Sequence, residues 1–399
     1  MPRATSARTG YPAASVRAVA AVLAAASLHA PASTTGSIRV FSDQLPDGLP
    51  PALLDFAASH YAGAQKLGRM TTRELKARNP AFFAIQYRLG LGLGIRTEVR
   101  FGDAWRREWP AHPRAEWFYR WHGKRVRQSW GWYLMNPDDA SWRRYWVGQV
   151  RREVATTDAD GVFMDSTSVP NEFGATTFTP QLPAYDPPWE LAWSHKIERW
   201  LAYTRKHVGK PVIVNAGSWV TTRDRTSYAA AAGVMVEGFA TGLAPADWRL
   251  ELTRALGLVW RDRIVICQSY LALDDVQARM FDLASYLLIK GAHTYVNFGE
   301  GIQVSWFPEY GIALGRALDP PGLREQQGVY VRRFAQGLVL ANPGDSSVTY
   351  ALPAQMRLVT PSGGGAVPDS GVPPSSWQLH ETEVTSVTLP PRGGAVLLR

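Results

Sequence analysis

Asp160-Gly161-Val162-Phe163-Met164-Asp165-Ser166 is a short apolar run that stops at a carboxylate, with Thr167 and Ser168 directly after it. Such a run, with no polar face, is the pattern of a central parallel strand covered on both sides. Acidic residues at the C-terminal ends of such strands sit where α/β barrels carry their chemistry. The stretch predicts a barrel strand with Asp165 at its functional end and Asp160 at the opposite end.

Working outward, seven further runs have the same character. Residues 38–43, 61–67 and 82–87 precede it, and residues 211–215, 233–236, 263–268 and 293–297 follow. Helical patterns lie between them at 71–78, 189–207, 247–257 and 274–290. Another begins at Asn136-Pro137-Asp138, where Asp138 or Asp139 can cap the free backbone donors. In it Trp142, Trp146, Val150 and Val154 recur every four residues and share one face, which predicts packing against the sheet. Eight strands alternating with helices favour a closed barrel over an open doubly wound sheet. No glycine fingerprint for a dinucleotide follows the first strand, which weakens the open sheet further. Residues 90–137, rich in Gly, Trp and Arg, read as a long functional loop.

The pattern changes at Asp319-Pro320-Pro321-Gly322. Short strands are predicted at 329–333, 337–342, 347–352, 356–359, 384–389 and 394–398, with a Gly/Pro-rich segment at 362–376. The expected fold is therefore α/β: a (β/α)8 TIM barrel over residues 34–318 with a small C-terminal antiparallel β-sandwich domain over 319–399.

The 399 residues are 46% hydrophobic and 19% charged, enough to bury a large core. At the N-terminus, Arg3, Arg8 and Arg17 are followed by an apolar segment at 18–30 and by Pro31-Ala32-Ser33. That order is the pattern of a secretory signal, so residues 1–33 are expected to be a leader and the protein to be secreted or extracytoplasmic. The apolar segment is too short to span a bilayer comfortably, and no other stretch could. The formal charge of +9 raises the question of a nucleic-acid partner. No nucleic-acid fingerprint accompanies it and the basic residues are diluted along the chain, so none is expected. The dense exception, residues 96–127, interleaves arginines with Trp105, Trp109, Trp117 and Trp121. It reads either as a solvated loop with anchoring aromatics or as a cleft wall that stacks on sugar rings. Cys267 follows the apolar Ile264, Val265 and Ile266 and reads as a small buried hydrophobe. One cysteine excludes an intramolecular disulfide and a cysteine-built zinc site. No His/Asp cluster has metal-ligand spacing and no Gly-x-Ser-x-Gly elbow occurs, so neither metal nor cofactor is expected. The sequence leaves the oligomeric state open.

From the fourth strand to the eighth, each apolar run ends in a polar residue: Asp165, Asn215, Glu237, Gln268 and Asn297. These five side chains should ring one mouth of the barrel. Cleaving a glycosidic bond calls for two carboxyl groups, one protonated to help the leaving oxygen depart and one ionised to attack or to activate water. Asp165 and Glu237 supply that pair. Strand-end carboxylates also serve as helix caps or as partners for arginine, and Asp43, Glu172 and Glu300 are rivals for the second role. Tyr87, Asn215, Gln268 and Asn297 are expected as hydrogen-bonding neighbours of a carbohydrate. Trp130, Trp132 and Trp219 are expected to supply a sugar platform, an indole face being suited to pyranose rings. The competing class is a carbohydrate-binding protein on a barrel that does not catalyse, which predicts widely separated carboxyls.

The combination of Asp-Gly-Val-Phe-Met-Asp-Ser (160–166), Val-Asn-Ala-Gly (214–217), Val-Glu-Gly-Phe (236–239) and Tyr-Val-Arg-Arg-Phe-Ala-Gln-Gly-Leu-Val-Leu-Ala-Asn-Pro (330–343) resembles the hypothetical glycosyl-hydrolase-like family 15. More distantly it resembles the endo-α-1,4-polygalactosaminidase type and the α-galactosidase superfamily. The resemblance spans roughly residues 38–345. It implies a (β/α)8 barrel, a C-terminal β domain and carbohydrate hydrolysis, with the carboxylate that closes the fourth strand, Asp165, as a catalytic residue. Glu237 is assigned by position. The resulting expectation is a glycoside hydrolase with Asp165 as nucleophile or base and Glu237 as general acid.

Overall fold

The computed structural model describes residues 37–94, 110–220, 223–299 and 302–399. The leader, Trp105, Trp109 and Glu300 lie outside the described residues. Eight strands form a closed parallel barrel: β1 (Val40–Ser42), β2 (Tyr61–Gln65), β3 (Phe83–Leu89), β4 (Gly161–Asp165), β5 (Val212–Asn215), β6 (Gly233–Glu237), β7 (Ile264–Gln268) and β8 (Thr294–Asn297). Each strand pairs with its neighbours in sequence, and β1 returns to β8 through Val40 and Val296. The (β/α)8 expectation holds.

Alternation along each strand decides what faces inward. Phe41, Ile85, Phe163, Ile213, Met235, Ile266 and Tyr295 fill the barrel interior as one cluster. Two residues further on, the same parity aims Asp43, Tyr87, Asp165, Asn215, Glu237, Gln268 and Asn297 at the interior of the C-terminal mouth. The intervening Val162, Met164, Val214, Val234, Val236, Val265 and Val296 face outward, into the shell beneath the helices. Asp160 sits at the other end of β4, paired with Lys76 at 2.7 Å and accepting from the Ala84 amide.

Six α-helices occur among the described residues: α1 (Pro51–His60), α2 (Arg69–Arg78), α3 (Ala140–Thr157), α4 (Pro187–His207), α5 (Pro245–Val259) and α6 (Val276–Ile289). Asp139, Asp186 and Asp275 cap α3, α4 and α6 with their side chains. As the spacing predicts, Trp142, Trp146, Val150 and Val154 of α3 are all buried. The indoles of Trp146 and Trp200 donate to the carbonyls of Leu89 and Gly90, fixing the end of β3. Helix α1 falls where no helix was expected. It starts at Pro51, a residue that fits the first helical turn but punctuates a sequence like a loop. Between β5 and β6 the described residues contain only a 3-10 turn, Tyr228–Ala230.

The segment expected as a long loop is partly a sheet. Gly92–Gly94, Trp132–Leu134 and Arg127–Gln128 pair antiparallel and are joined by Phe178–Thr179 from the loop after β4. This four-stranded sheet stands on the rim beside the mouth and carries Trp130 in the turn between two of its strands.

A six-stranded antiparallel sheet follows the barrel, β9 (Glu325–Gln326), β10 (Val329–Phe334), β11 (Gly337–Asn342), β12 (Val348–Ser362), β13 (Gln378–Leu389) and β14 (Gly393–Leu398), in the order β9-β10-β11-β14-β12-β13, besides a short pair of Ser305–Trp306 with Gly365–Ala366. Phe334, Val339, Ala341 and Val396 join the barrel-side core. The opposite face of the same strands meets Tyr350, Met356, Val387 and Leu389 in a second core. A register slip between Ala351 and Met356, around Pro353, interrupts the long β12–β13 hairpin. The two-faced arrangement is consistent with the predicted sandwich, although the strands expected at 347–352 and 356–359 are two parts of β12. Arg332 donates to the carbonyls of Leu287, Leu288 and Lys290, so the sheet supplies the C-terminal cap of α6. Among the described residues no helix is long and apolar enough to cross a membrane.

Candidate active site

Asp165 and Glu237 are brought together by Asn215. The Asn215 side-chain nitrogen lies 2.9 Å from Asp165 Oδ1 and 2.7 Å from Glu237 Oε2. The sum of those distances is the most by which these two oxygens can be separated. That ceiling falls near the ~5–5.5 Å of retaining glycosidases and short of the ~6.5–9.5 Å of inverting ones.

The two carboxyl groups differ in environment. Asp165 accepts from the Tyr87 hydroxyl at 2.6 Å, from Asn215 and from the Ser166 amide at 2.7 Å. Ser166 itself holds a left-handed φ of 53° directly after the strand. Glu237 accepts from Asn215 and from the Tyr270 hydroxyl. Burial and then the nearby charge of Asp165 push the Glu237 carboxyl above its usual range, against the pull of the two donors. Two carboxyls side by side in unlike environments, one rich in donors and one held toward its protonated form, are the arrangement that acid–base chemistry can use.

Lys66 and Asp43 flank the pair. The Lys66 ammonium is 2.8 Å from Asp43 Oδ2 and 5.6 Å from the Tyr87 ring centroid. Burial works against its charge, but Asp43, then Asp165, and more weakly Glu237 hold its pKa above the ordinary value. Asp43 also accepts from Gln65, so both its oxygens are engaged.

A cleft of about 360 Å³ opens beside the pair. Asp165 and Glu237 border it together with Asn215, Glu172, Trp219, Phe173 and Trp130. Trp130 is 56% exposed and can offer a ring face. Trp219 is buried edge-on against Tyr228 but still borders the cleft. Several expectations need correcting. Tyr87 is 2% exposed and spends its hydroxyl on Asp165 instead of on a sugar. Trp132 is buried, edge-on to Phe173 and Phe178, and backs the cleft instead of facing it. Gln268 is fully buried and spends its amide on the Ser269 and Gly299 carbonyls. Asn297 donates to Gln268 and Gly299, so these two strand ends brace each other. Cys267 is buried, and burial lifts its thiol well above the usual range. Among the described residues no cluster of His, Cys, Asp and Glu could hold a metal ion.

Sequence reasoning missed Tyr270 and Lys66. Tyr270 lies two residues beyond β7 and Lys66 directly after β2, where the chain has left strand alternation. The only local signal is a polar or aromatic side chain just past a strand end.

The fold and the bridged carboxyl pair at its C-terminal mouth define a barrel enzyme. A family model described as hypothetical glycosyl hydrolase family 15 matches residues 76–338, and the chain belongs to that family of glycoside hydrolases. No curated protein matches the chain. Among solved structures, the glycoside hydrolase domain of PelA from Pseudomonas aeruginosa is 16% identical, with a TM-score of 0.42, over 65% of this chain and 95% of that one. The noncanonic maltogenic α-amylase AmyB from Thermotoga neapolitana is 11% identical, with a TM-score of 0.43, over 92% and 100%.

Proposed function

We propose that the chain cleaves an O-glycosidic bond in a poly- or oligosaccharide, with Asp165 as nucleophile, Glu237 as general acid, and retention of anomeric configuration. The observation that carries this is the single Asn215 nitrogen within hydrogen-bonding distance of both carboxyl groups. In the first step an Asp165 oxygen attacks the anomeric carbon while Glu237 gives its proton to the departing glycosidic oxygen. A glycosyl ester on Asp165 and an ionised Glu237 result. In the second, Glu237 takes a proton from water as the water oxygen attacks the same carbon, and Asp165 leaves as the carboxylate. Trp130 at the rim, with Phe173 behind it, supports a ring-stacking subsite on the β4–β6 side.

A glycan panel scored for released reducing ends, with Asp165→Asn and Glu237→Gln as controls, tests the assignment. Both variants should lose at least about a thousandfold in kcat, and the first-formed sugar should keep its anomeric configuration by NMR. Full activity in either variant, or an inverted first product, sinks the reading. The alternative of a non-catalytic carbohydrate-binding protein predicts widely spaced carboxyls and has no observation in its favour. We also propose that the chain is exported, on the strength of residues 1–33. Recovery from culture medium of a product starting near residue 34 supports this, and an intact cytoplasmic chain refutes it.

A further inference from the structure

Asn215 was expected to touch the sugar, but it is 7% exposed and its polar atoms are already engaged. The Gly217 backbone N–H lies 2.8 Å from the Asn215 side-chain oxygen. A backbone N–H can only donate, so the atom it meets must be the amide oxygen, and the NH2 group must face the carboxyls. The orientation is thus fixed by the chain itself, at a glycine whose φ of +60° lies in the left-handed region. Each carboxyl also has a tyrosine of its own: Tyr87 for Asp165 and Tyr270 for Glu237. Asn215 is the donor that both share.

We propose that Asn215 is a positioning residue: its two N–H bonds set the spacing of the carboxyl pair and stay on the negative charge as it moves between Asp165 and Glu237. The inference rests on the reading of Asp165 and Glu237 as the catalytic pair. In the resting site the charge is on Asp165. Once the glycosyl ester has formed, Asp165 is neutral and Glu237 carries the charge. Water attack returns it. A donor aimed at one carboxyl would help one half-reaction and be idle in the other, whereas an amide with one hydrogen on each serves both without moving.

The first test needs no substrate. In the full chain labelled with 15N-asparagine, Asp165→Asn should shift one of the two Asn215 side-chain amide protons and Glu237→Gln the other. If both variants act on the same proton, or neither acts on any, the bridge is wrong. The second test uses whichever panel glycan is cleaved. Asn215→Ala should lower kcat about a hundredfold with KM changed less than about twofold. Its alkaline limb should move to higher pH, because Glu237 loses a donor that favours its ionised form. Tyr87→Phe should leave that limb in place. A KM increase at constant kcat would make Asn215 a substrate contact, and a kcat loss with the limb unmoved would make it merely structural; either overturns the proposal. If Asp165→Asn and Glu237→Gln remain active while the amide protons respond as expected, the catalytic reading fails and the bridge stands.

Discussion

A strand-end carboxyl becomes an acid or a nucleophile according to the donors around it. Tyr270 shows this at Glu237. Its hydroxyl lowers a carboxyl pKa that burial and Asp165 raise. Burial and then the charge of Glu237 lift the Tyr270 hydroxyl far above its usual range, so it remains a donor. Tyr270→Phe removes that donor, and the Glu237 pKa should rise further. As the proposed acid, Glu237 must be protonated to act, so activity should be lost as pH rises through its pKa. The alkaline limb of kcat/KM should therefore move to higher pH in Tyr270→Phe, with a rate loss of about tenfold for one hydrogen bond. A limb that stays put or moves to lower pH would remove Tyr270 from the acid's environment. Of the candidate site, the placement of Asp165, Glu237, Asn215 and Tyr87 at one mouth was legible in the sequence because strand parity and strand ends are periodic features, but that Asn215 and Tyr87 spend their donors on the carboxyls was not. Tyr270 and Lys66 were not, since their positions follow from loop conformation and no period runs through them.

At the scale of elements, the barrel was readable because each strand is a short apolar run bounded by polar residues. The rim sheet was not: its strands are two or three residues long and one of them comes from beyond β4, so the pairing is non-local. Two buried contacts between elements have a measurable signature. Asp282 of α6 accepts from the Ser269 hydroxyl just past β7, and Glu251 of α5 accepts from the Ala240 amide. Burial pushes both carboxyls well above their usual range. A folded-state pKa raised in this way contributes stability that is complete below the unfolded value, near ~4, and is lost as pH rises through the folded value. Asp282→Asn removes one of the two titrations while keeping an acceptor for Ser269. Its Tm should fall less between pH 5 and pH 9 than that of the parent, as read by calorimetry. An equal or steeper fall would mean that the Asp282 carboxyl is not held protonated.

For the whole molecule, the question is what ties the C-terminal strands to the barrel. Arg279 of α6 is buried, 2.7 Å from Glu309 in the segment after β8. It also donates to the carbonyl of Gly363 just past β12, with its guanidinium 4.9 Å from the Phe307 ring centroid. Arg332 of β10 reaches back to cap α6. The C-terminal strands thus satisfy polar groups of a barrel helix as well as covering apolar ones. Arg279→Met would leave Glu309 as an unpaired buried charge and should cost about 3–5 kcal/mol, measured by urea denaturation. A cost under about 1 kcal/mol would mean that the pair behaves like a surface bridge.

The rim sheet also bears on how this chain can be recombined with its relatives. Its strands come from two loops, one on each side of α3, yet they share backbone hydrogen bonds. A chimera with its crossover inside α3 would match half of that sheet to a stranger and leave edge strands unpaired beside Trp130. The rim strands before α3 and the one after β4 are therefore best exchanged together, with β4 and Asp165 kept in place, which transplants the wall of the cleft without disturbing the carboxyl pair beneath it.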